Sequence, residues 1–509
     1  MPMRRHAARH FLAPCLLAPL LALPARAQPS AEAQGALRRS EGLFTLEYQS
    51  VRVPGDRPID FLGAHAYHRL TDSVYAGAGF QAPLVQGAYG GFIAADIGLH
   101  LRQRLGGRVL GVAGVALGGG GGGRDVEHSK RLSGSGGLAK AYAGLAYDLG
   151  DFTLGGTWTR MKFRGALIDS SQFNLLVERP FSYLSAPFSA AGQRLSTVDE
   201  AVAAREVGES MLTLGLDNYA QRAPRGSNRA TIRLAELQYA HYFAADSYGF
   251  ASLGMGYAGL PLYNQLLGGV GQRLRLSPAV TLYAQLGLGS GGYAPDVIDT
   301  RAGLLLYPKL AAELTLTREV GLALSAGALV APTGTSRNLT YGLSLTRHLG
   351  AGPGGDASGP ATYQGFRLSV LHQTDARLRY RDVPRPAVQM LGLQLDLPLG
   401  ARVYLPLQAS GAYNAYLGYP GYAEMLGGLG LQTLAGPGEH WQAWAQGLVG
   451  ANVHGRTTKL AAGLRWLMDE RLALSAGVGR VQARGSSGGR FEADNLSFGL
   501  DYRFSLPSR

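Results

Sequence analysis

The chain has 509 residues, 74 of them Gly, with 46% hydrophobic residues, only 16% charged residues and a formal net charge of +13. Soluble domains carry about 7% Gly and about 25% charge, so a typical soluble enzyme is a poor fit. Low charge with 25 Tyr and 16 Phe excludes a disordered chain, Gly without a three-residue period excludes collagen, and the lack of a long uninterrupted apolar run after the N-terminus excludes a helical membrane protein.

Residues 1–27 read as a secretory signal peptide: Arg4, Arg5 and Arg9 precede an apolar stretch from Phe11 to Leu23, and Ala25-Arg26-Ala27 is a small-residue cleavage site. Cleavage there removes four Arg and the single cysteine, Cys15, leaving a mature charge of about +9 and no thiol for disulfide, metal or nucleophile. Residues 28–41 form an N-terminal segment.

From residue 42 onward, segments such as Leu43–Val53, Ile59–Leu70, Ser73–Leu84, Tyr89–Leu105, Val109–Gly118 and Leu138–Leu149 alternate between turn-rich stretches, which predicts about 24 antiparallel strands. The sequence also repeats. Leu322-Ala323-Leu324-Ser325-Ala326-Gly327 recurs at 472–477, Tyr263 with Leu267–Gly271 is matched by Tyr422 with Leu426–Gly430, and Asn338–Leu343 is matched by Asn495–Leu500, at offsets of 150, 159 and 157. The first third follows the same template more loosely. Three repeats result, at 42–185, 211–349 and 363–509, separated by a linker with a short helix at 186–210 and a flexible linker at 350–362.

Short turns alternate with longer loops, and the basic residues gather in the loops: Arg124, Lys130 and Arg131 in the first repeat, and Arg377, Arg379, Arg381 and Arg385 in the third. Six consecutive glycines, Gly118 to Gly123, lack the Lys-Ser/Thr and helix of a phosphate-binding loop and predict a mobile extracellular loop. Tyr75, Tyr142, Tyr248, Tyr283, Tyr404 and Tyr502 stand at strand ends, where interfacial aromatic girdles would lie.

In the last strand Leu496, Phe498, Leu500, Tyr502 and Phe504 share one face. This resembles the terminal assembly signal of Gram-negative outer-membrane β-barrels, although Ser505 to Arg509 follow the final aromatic. The resemblance is to the class, through strand period, loop asymmetry and leader, and to no particular family. It implies a transmembrane antiparallel barrel in the bacterial outer membrane, contact with outer-membrane lipid and lipopolysaccharide, and insertion by the barrel-assembly machinery. The 24 strands close either as one large barrel or as three of eight strands, and the single barrel is favoured because the inward faces are rich in small residues.

Period-two sorting turns His65 and Tyr67, Glu236 and Gln238, and Gln394 and Asp396 toward a lumen, where they either bond one another or line a polar patch of a pore. Nine histidines remain in the mature chain, none in a nucleophile elbow or a His-Glu-x-x-His motif, so neither a catalytic site nor a metal or other cofactor is expected. A barrel lipid hydrolase or protease is the remaining enzyme alternative. Nucleic acid is not an expected partner, since the Arg residues have no basic helix or stacking platform. The leading function is a pore or translocation conduit for a solute or an exported polymer. The alternative is a non-conducting structural or surface-interaction barrel whose basic loops bind lipopolysaccharide, a partner or a matrix polymer.

Overall fold

Alternating side chains give each strand one wall against its neighbours' interior and one wall outward, and a sheet of such strands loses its open edges only by closing on itself. The structure, a computed structural model, describes residues 38–123, 125–192, 209–222, 225–317, 319–349, 362–435, 439–485 and 488–508. The expected leader and the linker helix lie outside the described residues.

Three antiparallel rings form in succession. Barrel 1 contains β1 (Arg38–Val51), β2 (Ile59–Arg69), β3 (Val74–Ala82), β4 (Ile93–Gly106), β5 (Val109–Gly121), β6 (Gly137–Asp148), β7 (Thr153–Phe163) and β8 (Asp169–Ser185). Barrel 2 contains β9 (Ser210–Gln221), β10 (Ile232–Tyr242), β11 (Ser247–Ala258), β12 (Asn264–Arg275), β13 (Val280–Gly292), β14 (Leu304–Thr315), β15 (Val320–Val330) and β16 (Arg337–Leu349). Barrel 3 contains β17 (Thr362–Tyr380), the two-residue β18 (Val383–Pro384), β19 (Val388–Pro398), β20 (Val403–Ala412), β21 (Ala423–Gln432), β22 (Trp441–Asn452), β23 (Gly455–Leu467), β24 (Leu472–Gly485) and β25 (Arg490–Ser508). The first strand of each pairs with its own last strand: Glu47 faces Leu176, Leu216 faces Leu343, and Val370 faces Leu500.

The favoured single 24-stranded barrel is therefore corrected to three closed eight-stranded barrels. The physical reason lies in the tyrosines. Tyr75, Tyr142, Tyr248, Tyr283 and Tyr404, expected in girdles, are buried inside the rings, and their volume fills an interior that small residues alone would leave underpacked. Two glycines of the repeated Leu-Gly-Gly blocks show the fit: a Cβ on Gly271 or Gly430 would lie 2.2 Å from the ring of Tyr248 or Tyr404. The outer walls carry the apolar residues instead, such as Trp158, Leu310, Leu324, Val449 and Leu460, each more than 60% exposed.

Short hairpins at one end repeat a single design. In six of them an apolar residue donates its N–H to the carbonyl four residues on, as Leu70 does to Val74 (2.8 Å), Leu276 to Val280 (3.0 Å) and Leu399 to Val403 (2.9 Å). The other end carries the longer loops and an apolar cluster in each barrel, including Phe61, Phe92 and Phe163 in the first, Tyr219, Tyr263 and Ile298 in the second, and Met390, Tyr422 and Phe491 in the third.

The barrels pack in a closed cycle. The β3–β4 loop of barrel 1 meets the β13–β14 loop of barrel 2, where Gly90 donates to the Arg301 carbonyl at 2.7 Å. In the same way β11 of barrel 2 contacts β22 and β23, and β20 of barrel 3 contacts β5. Each barrel thus presents its third-strand side to the fifth or sixth strand of the next, a head-to-tail arrangement that closes after three units. The six-glycine run belongs to this seam and is not a mobile loop: Gly118 to Gly121 end β5, and a Cβ on Gly119 would come within 2.3 Å of the Ala412 carbonyl oxygen. After the last aromatic, Phe504, the chain stays in strand to Ser508, and Ser505 exchanges backbone hydrogen bonds with Ala186 of barrel 1 at 2.9 Å.

Candidate functional site

Each lumen is organised around a lysine on its sixth strand. Lys309 of β14 lies 3.0 Å from the Asp217 carboxylate on β9 and 2.9 Å from that of Glu236 on β10. Lys140 of β6 pairs with Glu47 on β1, which also accepts from Asn174 at 3.2 Å. Lys459 of β23 donates to Gln373 on β17. All three lysines are buried. A lone buried charge is prohibitively costly, so the facing carboxylates and amides are a condition of folding.

These lysines were not among the residues expected to line a lumen, yet the sequence carries their signal: Lys309-Leu-Ala-Ala-Glu-Leu314 and Lys459-Leu-Ala-Ala-Gly-Leu464 are separated by the same 150 residues as the Leu-Ala-Leu-Ser-Ala-Gly pair, with Lys140-Ala-Tyr-Ala-Gly-Leu145 a looser third copy. Inward lysine and outward leucine are adjacent because successive side chains on a strand alternate.

The six residues assigned to a lumen all sit on inward walls, but in three different lumens. His65 is buried in barrel 1, with Nε2 3.0 Å from Asp96, and stacks on Tyr67 at 5.8 Å. Glu236 serves Lys309, while Gln238 and Gln285 exchange amide bonds of 3.3 and 3.5 Å. Asp396 accepts from Arg367 Nε at 2.6 Å and from Gln394 at 2.8 Å, and Gln394 also reaches Gln446 at 3.2 Å. Further contacts between basic and acidic side chains stand near the short-turn ends: His100 with Glu178 at 3.0 Å, His348 with Glu313 at 3.0 Å, and Arg465 with Asp501 at 2.6 Å. Barrel 3 keeps a polar cavity of about 20 Å³ among Gln394, Gln446, Tyr404, Lys459 and Ser497, room for about one water.

At the loop end, Lys130 and Arg131 lie exposed in the last turn of a short helix, Val126–Ser133. Its N-cap is Asp125, whose carboxyl is held below its usual range chiefly by the His128 backbone N–H. Arg124 lies outside the described residues. Arg377 is 87% exposed and lies 3.5 Å from Asp494, Arg379 donates to the Asp382 carbonyl at 3.0 Å, and Arg381 lies over the Tyr380 ring at 5.4 Å. Of the terminal-strand residues, Phe498 is exposed, Leu500 and Tyr502 are partly covered, and Phe504 stacks on Phe366 at 5.8 Å where barrels 2 and 3 meet.

No family model matches the chain, and no curated protein matches it in sequence. Solved structures align with it at low identity. The ferric enterobactin receptor of Pseudomonas aeruginosa aligns at 11% identity over 92% of this chain and 81% of its own, with a TM-score of 0.29. The siderophore receptor PirA of Acinetobacter baumannii aligns at 9% over 90% and 80%, TM-score 0.27. The KdgM porin, solved with disordered oligogalacturonate, aligns at 9% over 57% of this chain and 98% of its own, TM-score 0.16. Such scores do not establish a shared architecture, and the three-ring arrangement rests on the strand pairing itself.

Among the described residues no group of three or more His, Cys, Asp or Glu is placed to hold a metal ion, and no helix is long and apolar enough to cross a membrane. One serine meets a histidine, Ser210 Oγ to His241 Nδ1 at 3.0 Å; the other neighbour of that hydroxyl is Tyr239, at 3.0 Å.

Proposed function

We propose that this chain is an integral outer-membrane protein that folds as a single-chain ring of three filled barrels, and that it works through its surface, not as an open conduit. The observation that carries this reading is the opposition of the two walls on the same strands. Apolar side chains face out and charged, mutually neutralised pairs face in, the reverse of a soluble β-barrel with a greasy core. Backbone polar groups in hydrocarbon must be paired internally, and each ring pairs its own.

An open conduit needs a lumen wider than its own side chains fill. Eight-stranded rings leave an interior that side chains fill, and here the lysine centres and apolar loop-end clusters do so. The surface-interaction alternative then has the better support, with basic loop residues facing the cell exterior. Planar-bilayer recording of the refolded protein tests it. The expected result is no stable unitary conductance; a reproducible conductance that disappears when Gln394 or Gln446 is made bulky would return the assignment to solute transport through barrel 3.

A further inference from the structure

Beyond the barrel wall of the third repeat, the strands β17, β23, β24 and β25 continue upward and carry a graded outer surface. Their registers place the outward residues in rows. Leu464, Ala476, Phe498 and His372 form one row, and Ala462, Val478, Leu496 and Thr374 the next. Above them come Leu460, Arg480, Asp494 and Ala376, then Thr458, Gln482, Glu492 and Arg379, with Arg377 at the irregularity beside them. The top row brings Arg456, Arg484 and Arg490 together.

Two features of this surface ask for a ligand. The first is charge: five arginines, Arg377, Arg379, Arg480, Arg484 and Arg490, face two carboxylates, Glu492 and Asp494, with Arg480 2.6 Å from each, Arg490 also paired with Glu492 and Arg377 with Asp494, which leaves a net positive rim. Arg484 and Arg490 stand directly opposite one another on neighbouring strands, a like-charge pairing that costs stability; Glu492 answers Arg490 alone, so a second anion over the pair would offset the remaining repulsion. The second is what lies one and two rows below: Val478 is 63%, Phe498 59% and Leu460 69% exposed, an apolar field contiguous with the arginines. Rows are about 7 Å apart and the four strands span about 14 Å, so the ledge accommodates two phosphates side by side. Guanidinium groups bind phosphate oxygens in pairs.

We propose that this ledge binds a bis-phosphorylated, multiply acylated glycolipid of the outer leaflet, the phosphates on the arginine rows and the acyl chains against Val478, Leu496 and Phe498. The inference rests on the outer-membrane reading and gives its surface a specific ligand. Barrels 1 and 2 do not repeat the site. At the corresponding strands barrel 1 places two cations, Arg160 and Lys162, both on Asp169, with no opposed arginine pair between them, and Arg337 of barrel 2 donates to the carbonyls of Ala331 and Ser336 at 2.7 and 2.8 Å.

The test uses the full chain reconstituted in phosphatidylcholine vesicles, with bis-phosphorylated lipid A, its monophosphorylated form and phosphatidylglycerol as probes, read by fluorescence titration and native mass spectrometry. The variant R484A/R490A is compared with the wild type and with R160A/K162A as the control at another rim. Bis-phosphorylated lipid A is expected to bind the wild type and the control alike and the R484A/R490A variant at least tenfold more weakly, with phosphatidylglycerol weak throughout. Equal binding by R484A/R490A and wild type, or equal binding of phosphatidylglycerol and lipid A, overturns the ledge. Vesicle flotation separates the two levels: protein that floats with vesicles but shows no lipid A preference refutes only the ledge, while protein that does not insert at all refutes the outer-membrane reading beneath it. Thermal melting of each variant, matched to the wild type, excludes loss of fold as the cause of weaker binding, and R484K/R490K, which keeps charge, is expected to recover part of it.

Discussion

Barrels 2 and 3 share a strand frame and differ in where their charge is used. In barrel 2 the central Lys309 is held directly by two carboxylates, and the outer rim of β15 and β16 presents Ala328, Val330 and an Arg337 occupied by loop carbonyls. In barrel 3 the central Lys459 donates to an amide, and the rim of β24 and β25 carries the arginine excess. The lesson is that the interior is constrained and the rim is not. A charge sealed from water must be balanced nearby in every copy, by bonded carboxylates for Lys309 and Lys140 and by the neighbouring Glu424 and Asp375 for Lys459, whereas a rim in contact with water and headgroups can hold unbalanced charge and so become a place of specialisation.

The sharpest way to break this comparison is to remove the lysines. Lys309→Met leaves two buried carboxylates facing each other without their cation and is expected to cost about 3–5 kcal/mol, measured by urea unfolding in detergent. Lys459→Met loses a direct bond to a neutral amide, with Glu424 and Asp375 acting on the lysine without bonding it, and should cost less, about 1–3 kcal/mol. Equal losses would mean that the two centres are not distinguished as described.

The opposite wall supplies the next effect. Leu310, adjacent to Lys309 and 65% exposed, faces outward, and Leu310→Arg should destabilise the membrane-inserted protein by about 2–4 kcal/mol while leaving the lumen intact. If the outer wall faced water, this change would be nearly silent.

A smaller effect follows from His454, in the hairpin between β22 and β23. Burial, aided by Arg381, lowers its pKa from 6.5 to about 4, and its ring stacks on Tyr380 at 4.4 Å. The ring is neutral in the folded protein, so its contribution to stability is complete above about pH 6.5 and is lost as the pH falls toward 4. Barrel 3 should weaken by about 1–2 kcal/mol across that window, since the ring keeps some solvent, and His454→Gln should flatten the dependence. Barrel 2, with no equivalent hairpin histidine, is the internal reference when unfolding is followed by a fluorophore placed in each barrel.

The alternation of Leu-Ala-Leu-Ser-Ala-Gly and the offset near 150 residues made strands and repeats legible, because side-chain period and repetition are local properties. Ring closure was not legible, since the same alternation serves one wide barrel or three narrow ones. The choice is made by which strand meets β9, and that contact links residues more than a hundred positions apart, such as Leu216 and Leu343. The tyrosines were misplaced for a related reason: Tyr248 and Tyr404 near strand ends suit a girdle until the glycine facing each, Gly271 and Gly430, is known to be its neighbour. His65, Glu236 and Asp396 were visible as inward residues but not as members of three separate networks. The arginines were visible as a loop excess, while the row of Arg484 and Arg490 was hidden because only the pairing of β24 with β25 sets them opposite one another.

Closure of each repeat on itself is the central claim, and cross-linking of β9 tests it most directly. With Cys15 replaced by Ser, the chain has no other thiol. Cysteines at Leu216 and Leu343, opposite residues on β9 and β16 with both side chains outward, should form a disulfide in the membrane-inserted protein. A cysteine at Leu216 that instead cross-links to one at Leu175 on β8, with no 216–343 product, would contradict the account and restore a single ring.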